Sequence, residues 1–596
     1  MSASSFPRFF AYDRSVWIAG LAVFFAFVVL QIKFQNVGAN VSPRSFLSWT
    51  FLLAFGLFFW LMRVPRQPIT WSPILLAIAF GPTLLVFLHL MLGIQPVGHN
   101  IVAYIVPNMF LALVFFAGWQ TRLSKKLWAQ VALILFVGLI VQTLLSLFSA
   151  DFLNIPEIYN KIPSFVAVRF GGFYQENHFT IILASASLWV GVFFIFFAAY
   201  QNRFAAMLVL LCTMLAGFTI FISASKMGML ALVLGVLLFA PTMLFLRVNR
   251  MAWCRYGLLV GVLVMSYVAA QYSVVRPDDG LGFWQSKSVI FRLVMWEISA
   301  LAIKDRFLFG HGLGSFTSVY FSYFVEYGNA LGLTMHETPD DPHNFIIRFL
   351  LETGLVGTLL FLLPMAWLGV RLLAVRWHIV YLLPILPIGL HTMLEFPHRA
   401  SGTHYLLFVL IIISLTHAPA SWPRFDISRH IIWRQFAHVP SIVLLLLTLV
   451  AFDTAMLSQD YIRKENYFRT MTDLRQAYMR RFASRDMNHL ILGDFVLVNT
   501  LYAASSRAIA EQNIAALGSL YPLYVKRVIP RIENAAIWAT QHKMLLLLEN
   551  WAELELFYAR LVAIRPQDAA NIRAMTYHYL DYKNLPTNLV SLPPPQ

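Results

Sequence analysis

Apolar residues occur along the chain in blocks of about 20, the length a helix needs to cross the hydrocarbon core of a bilayer. About 13 such blocks stand out, near 16–32, 45–62, 73–92, 101–118, 127–149, 177–199, 204–222, 228–247, 256–272, 344–371, 378–394, 402–417 and 437–457. The first has no small-residue cleavage site after it and more blocks follow, so it reads as an anchor, not a cleaved signal. The pattern changes twice. Residues 273–343 form a long polar interruption, and beyond 459 charges such as Arg463, Lys464, Arg469 and Arg475 alternate with Leu, Ala and Tyr at helical spacing. The expected fold is an all-α polytopic membrane protein with about 13 transmembrane helices and a C-terminal soluble helical domain. Its parts are a transmembrane bundle over 1–272, a large loop over 273–343, further spans over 344–458 and a helical domain over 459–596. Within the last part Trp551, Leu554, Tyr558, Ala559 and Pro566 carry the spacing of a tetratricopeptide-like hairpin, and a plain amphipathic helix pair fits them equally well.

Composition removes the soluble alternatives. Of 596 residues 59% are hydrophobic and 12% charged, half the charge of a soluble domain. The net charge of +16 reports topology, because lysine and arginine stay in cytoplasmic loops, and no nucleic-acid partner is implied. With the N-terminus in the cytoplasm, Arg63, Arg66, Arg122, Lys126, Arg203, Arg247, Arg250, Arg371, Arg376 and Arg424 fall in cytoplasmic loops. An odd number of spans then puts both 273–343 and the tail on the trans side. The two cysteines, Cys212 and Cys254, sit in or beside apolar blocks, which argues against a disulfide framework, a cysteine metal site or a thiol pair.

Three polar clusters on the trans side are candidates for chemistry. In Asp341-Pro342-His343-Asn344, Asp341 reads as a helix cap with proline in the first turn. His343 would then stand at a helix N-terminus, where an anion is favoured and a neutral imidazole can act as general base. Asn344, Arg348 and Glu352 share a helix face, and Arg348 with Glu352 reads as a neutralising pair. Upstream, 288–303 is amphipathic enough to lie on the membrane surface with Trp296 at headgroup level, so that the planar fork of Arg292 can hold a phosphate. The glycines of 310–314 read as a tight turn, since no strand precedes them. The third cluster is Gln175, Asn177 and His178 entering a hydrophobic block, with Lys226 on a neighbouring connection and His391, Glu395, His398 and His404 near a later one. Polar groups collected at one end of several spans suit a lipid-linked pyrophosphate whose sugar passes to an acceptor hydroxyl. That scheme needs no metal or other cofactor, and the loop acids Asp278, Asp279, Asp340 and Asp341 make no convincing ligand set.

The run Arg292…Trp296…Phe309-Gly310-His311-Gly312-Leu313-Gly314-Ser315-Phe316, then Pro342-His343-Asn344 and Glu352-Thr353-Gly354-Leu355-Val356-Gly357, resembles the shared core of O-antigen ligases and O-antigen polymerases. Gly172-Phe173-Tyr174-Gln175-Glu176-Asn177-His178 and His391-Thr392-Met393-Leu394-Glu395-Phe396-Pro397 are similar to segments of the bacterial O-oligosaccharyltransferases of the PglL/PglS type. The resemblance covers most of the chain from about 165 onward. It implies a C-type glycosyltransferase fold in the bacterial inner membrane that uses an undecaprenyl-pyrophosphate-linked glycan on the periplasmic side without a metal. Carried over, His343 would be the catalytic histidine, Arg292 a cation for the lipid pyrophosphate and Gln175 a polar residue of the site; Lys226 as a second cation and Asn177, His178, Asn344 and Glu395 as polar site residues are candidates from the sequence itself. Two departures stand out: Ser225-Lys226 replaces a serine-arginine pair, and His398, Arg399 and Ala400 replace aromatic residues after Glu395-Phe396-Pro397. The implied function is glycan transfer en bloc to serine or threonine of a periplasmic, pilin-like protein. Ligation of O-antigen to lipid A core, or its polymerisation, is the alternative with the same chemistry. A lipid-linked glycan transporter shares the spans but should carry binding residues at the midplane of broken helices.

Overall fold

The computed structural model describes residues 14–29, 43–63, 69–94, 98–120, 123–149, 176–223, 225–273, 287–324, 327, 339, 341–393, 402–418, 420–425, 439–470, 493–529, 535–564 and 566–591. Helices follow one another as α1 (Arg14–Phe24), α2 (Pro43–Arg63), α3 (Pro73–Met91), α4 (Gly98–Gln120), α5 (Lys125–Ser149), α6 (Glu176–Ile195), α7 (Arg203–Ile222), α8 (Lys226–Leu246), α9 (Arg250–Ser273) and α10 (Lys287–Asp305). Then come α11 (Phe316–Tyr323), α12 (Phe345–Leu373), α13 (Leu382–Thr392), α14 (Gly402–Leu415), α15 (Val439–Thr470), α16 (Gly493–Ala510), α17 (Ile514–Arg527), α18 (Ala535–Leu547), α19 (Trp551–Ile564) and α20 (Pro566–Tyr582). A two-residue antiparallel pair joins Ile69–Thr70 to Arg424–Phe425. The chain forms two compact units, the first from 1–84, 103–280 and 360–456, the second from 85–102, 281–359 and 457–596.

In the first unit, α6 is the central post. It is apolar on every side and buried along its whole apolar window, as a helix surrounded by other helices must be. Its Trp189 indole donates to Ser414 Oγ at 2.9 Å, joining it to α14, which is buried from Gly402 to Leu415. The C-terminal end of α14 leaves carbonyls without helical partners. Lys125 Nζ donates to the Ser414 carbonyl at 2.7 Å and Trp119 Nε1 to Thr416 Oγ1 at 3.2 Å, a cation and a donor at the negative end of the helix.

In the second unit one hydrophobic core runs through loop and tail. Met295 and Ile298 of α10 and Phe316 and Tyr320 of α11 share it with Leu501 of α16 and Tyr524 of α17. The tail is a set of helical hairpins. α16, α18 and α20 are each followed by a residue with left-handed backbone, Gln512, Glu549 and Asn584. Asn513 and Asn550 then cap α17 and α19 through their side-chain oxygens.

The expected count of about 13 spans, and with it the fold assignment built on that count, is overturned. Among the described residues eight helices are long and apolar enough to cross a membrane: Pro73–Met91, Lys125–Leu144, Asn177–Ile195, Arg203–Ile222, Lys226–Leu246, Arg250–Tyr272, Phe345–Leu373 and Val439–Leu457. The apolar stretches Ile18–Phe27, Leu47–Leu61, Asn108–Gln120 and Gly402–Leu415 are shorter, at 10–17 residues. The block at 378–394 divides into a 3₁₀ turn, Arg376–Tyr381, and the 11-residue α13 with Pro387 inside it. Hydropathy measures how apolar a stretch is; crossing requires about 20 residues in one helix. The protein is an all-α polytopic membrane protein with a C-terminal helical region.

Candidate functional site

In the second unit the chemistry gathers where α12 begins. The sequence placed His343 in the first turn of this helix with Asp341 as its cap. Instead α12 starts at Phe345, and Asn344 is the residue whose Oδ1 accepts from Ile347 N at 3.1 Å. His343 precedes the cap, half-buried, with φ +50°, a backbone conformation that a residue with a side chain adopts at a cost. The difference is local: Asp341 Oδ1 accepts from the backbone N–H of His343 at 2.7 Å, which closes an Asx turn ahead of the helix. Pro342 therefore lies in this turn.

Arg348, one turn into α12, ties the segment down. Its Nη1 meets Asp341 Oδ2 at 2.8 Å and its Nε meets Glu352 Oε1 at 3.0 Å. Arg348 and Glu352 are buried, at 5% and 0% exposure, so each charge depends on the other for its place in a low-dielectric interior. Glu352 also accepts from Phe316 N at 3.3 Å, so one guanidinium connects α11, α12 and the His343 turn. The neutralising pair read from the sequence is present, with Asp341 as a further partner.

Arg292 belongs to α10. Four residues on, the Trp296 indole N–H donates to the Pro342 carbonyl at 2.8 Å. Residues four apart share a helix face, so Arg292 lies on the side of α10 that Trp296 presents to the His343 turn. Met295, Ile298, Ser299 and Ala302 of the same helix are buried.

The glycine-rich run 310–314 is a turn, as its sequence suggested, and α12 shows why. The helix breaks at Gly354, whose φ of 63° and ψ of −172° are open to glycine almost alone. The break strands carbonyls and amides of α12, and residues 307–312 take them up. His311 N donates to Leu351 O at 2.9 Å and Gly312 N to Glu352 O at 2.8 Å; Leu355 N donates to Phe307 O at 2.8 Å and Val356 N to Leu308 O at 3.1 Å. These amides are engaged with α12, which excludes the phosphate-cradle reading for them. Burial lowers the pKa of His311, whose ring is bonded to the Ala302 carbonyl at 2.9 Å; its role is to brace α10.

The first unit holds Lys226, Asn177 and His178. Lys226 is exposed and opens α8 directly after the cap Ser225, whose Oγ accepts from Gly228 N. Thr180 of α6 donates to the same Oγ at 2.8 Å, which brings the N-terminal turns of α6 and α8 together. His178 is buried and faces two other imidazoles, with ring centroids 5.1 Å from His391 and 5.5 Å from His404. His391 and His404 are 5.8 Å apart. Gln175, Glu395, His398 and Arg399 lie outside the described residues. Sequence reasoning missed Thr180, the Asp341–Arg348 link and the Trp296–Pro342 bond. The first two join residues with no distinctive spacing, and the third joins positions 46 residues apart, so no local pattern announces it.

Residues 210–362 match the O-Antigen ligase family, about a quarter of the chain, and the matched stretch contains Lys226, Arg292, His343, Asn344, Arg348 and Glu352. The chain is 28% identical over 182 residues to a "Putative polysaccharide ligase" of Rickettsia bellii (strain RML369-C), covering 30% of this chain and 42% of that one. The chain thus spans less than half the length of that relative. No solved structure matches. At low identity, these similarities liken the matched stretch to O-antigen ligases and polysaccharide ligases; they carry no mark specific to oligosaccharyltransferases of the PglL/PglS type.

Proposed function

We propose that this protein transfers a glycan from a polyprenyl diphosphate to an acceptor hydroxyl at the outer face of the bacterial inner membrane, acting as a polysaccharide ligase whose acceptor is lipid A core. The observation that carries this reading is that the stretch matching the O-antigen ligase family contains both Arg292 and His343, and that Trp296, on the Arg292 face of α10, is bonded to the turn that bears His343.

In this reading His343 takes the proton of the acceptor hydroxyl as its oxygen attacks the anomeric carbon. The bond from that carbon to the diphosphate oxygen breaks, and the lipid diphosphate leaves with the electron pair. Arg292 stabilises the growing negative charge with two parallel N–H donors. Asn344, beside the base, binds a sugar or acceptor hydroxyl. The loop and the tail both face the periplasm. Their common hydrophobic core supports one side for both, and the excess of lysine and arginine in the opposite loops supports the periplasmic side.

A protein acceptor, such as a pilin-like substrate, is the second reading. It is favoured by the helical hairpins over 493–591, which lie beyond the matched stretch and offer a surface on which a polypeptide can dock. The test is expression in a bacterium that makes lipid-linked O-antigen but lacks its own ligase, with a candidate pilin present. Ladder-modified lipopolysaccharide that disappears with His343→Ala supports the ligase reading. A sugar-sized mass increase on the pilin, with lipopolysaccharide unchanged, replaces it with the second.

A further inference from the structure

Four consecutive residues around His343 are each held by a named bond. The Asp341 carboxylate is held by Arg348, the Pro342 carbonyl by the Trp296 indole, the His343 amide by Asp341, and the Asn344 side chain by the amide of Ile347. The Asn344 carbonyl in addition accepts from Arg348 N at 3.1 Å. A short turn with ordinary backbone needs no such fastening. This one contains a histidine at φ +50°, and a strained residue persists only where its surroundings over-determine it.

We propose that Asp341 is a positioning residue for His343, and that Arg348 and Glu352 serve the site by fixing Asp341. The inference rests on His343 being the base of the proposed transfer. One oxygen of Asp341 sets the backbone from which the imidazole projects; the other is anchored to the buried guanidinium of Arg348. Arg348 is gripped on its far side by Glu352, which is itself bound to the first amide of α11. The imidazole is thereby referenced to two helices through a chain of charge-assisted bonds, which are short and directional. Orientation of this kind acts on the chemical step: a base displaced by about 1 Å can lose ~100-fold in rate while substrate binding is unaltered. Trp296 is the second support, from α10, and brings the Arg292 helix to the same turn.

The experiment uses the full-length protein purified in lipid nanodiscs, with a polyprenyl-diphosphate-linked glycan as donor and rough lipopolysaccharide as acceptor. kcat, donor KM and thermal stability are measured for the native protein and for Asp341→Ala, Asp341→Asn, Trp296→Phe and His343→Ala. Asp341→Ala is expected to lower kcat ~10- to 100-fold with donor KM within about 3-fold, the signature of lost transition-state orientation. Asp341→Asn keeps an oxygen for the His343 amide but gives up the charge-assisted anchor to Arg348, and its kcat is expected to fall between those of the native protein and Asp341→Ala. Trp296→Phe is expected to lower kcat ~3- to 10-fold, also at constant KM. A native kcat in Asp341→Ala, beside an inactive His343→Ala, overturns the positioning role and leaves the function standing. Equal losses in Asp341→Ala and Asp341→Asn that follow loss of folded protein also overturn it, since they mark a purely structural carboxylate. Transfer that survives His343→Ala removes the base, and the positioning role with it.

Discussion

Arg292 and Lys226 are both cations read as diphosphate ligands, yet their chemistry differs. A guanidinium offers parallel donors that match two phosphate oxygens, whereas an ammonium offers a point charge. Arg292→Lys is therefore expected to cost ~10-fold in kcat and Arg292→Ala ~100-fold or more, measured as glycan transferred per minute by the purified protein. Lys226→Arg is expected to leave transfer unchanged or raise it. His542 makes a different residue-scale statement, in the tail. It is fully buried, its Nε2 is hydrogen-bonded to Thr576 Oγ1 at 3.0 Å, and its Nδ1 has no hydrogen-bond partner. Burial first, then the Lys543 charge, lowers its pKa from 6.5 to about 4. Because the folded value is depressed, the unfolded chain binds the proton more readily. The contribution of neutral His542 is complete above 6.5 and is lost as pH falls toward about 4. Thermal unfolding should show a loss as pH falls from about 6.5 toward about 4 that is smaller in His542→Gln. Among residues, the pairing of Arg348 with Glu352 was legible because positions four apart face each other on a helix. The left-handed backbone of His343 was not, because Asp341-Pro342-His343 satisfies the rules for a helix start until Asp341 turns its oxygen to the histidine amide.

Among elements, α12 carries the most information. Its sequence reads as one apolar block over 344–371. The break at Gly354 exists because the 307–312 segment crosses the helix backbone to backbone. A side chain at Gly354 would meet the Leu308 carbonyl group, and one at Gly310 the amides of Thr353 and Gly354. No one-dimensional pattern records that crossing, although the paired glycine motifs at 310–314 and 354–357 were its two halves. Gly354→Ala is expected to lower stability by ~3 kcal/mol or more, since it adds backbone strain to an unavoidable clash. The check is a lowered melting temperature of the detergent-purified protein, with glycan transfer lost in proportion to folded protein.

For the whole molecule, the hydropathy pattern identified a membrane protein, and its blocks include all eight helices long and apolar enough to cross a membrane among the described residues. It overcounted because burial inside a protein and burial in lipid leave the same apolar signature: α14 is buried on all sides, yet is only 14 residues long. The sidedness of loop and tail no longer rests on counting spans. It rests on their common core, and it can be tested with single cysteines in a chain lacking Cys212 and Cys254. Lys304→Cys on α10 and Ala552→Cys on α19 are both at exposed positions. A membrane-impermeant maleimide added to intact spheroplasts should label both. Labelling of one alone is incompatible with a common side, and labelling of neither before lysis places both in the cytoplasm.

The account turns on His343 as the base of glycan transfer, and the most direct test is the chemical step itself. Purified native protein and His343→Ala, matched for folded fraction, are given a polyprenyl-diphosphate-linked glycan and rough lipopolysaccharide, and the glycan-bearing lipopolysaccharide formed per minute is measured. The expected result is transfer by the native protein and a loss of ~1,000-fold or more in the variant, with donor binding retained. A variant that transfers at a rate close to native would contradict the account.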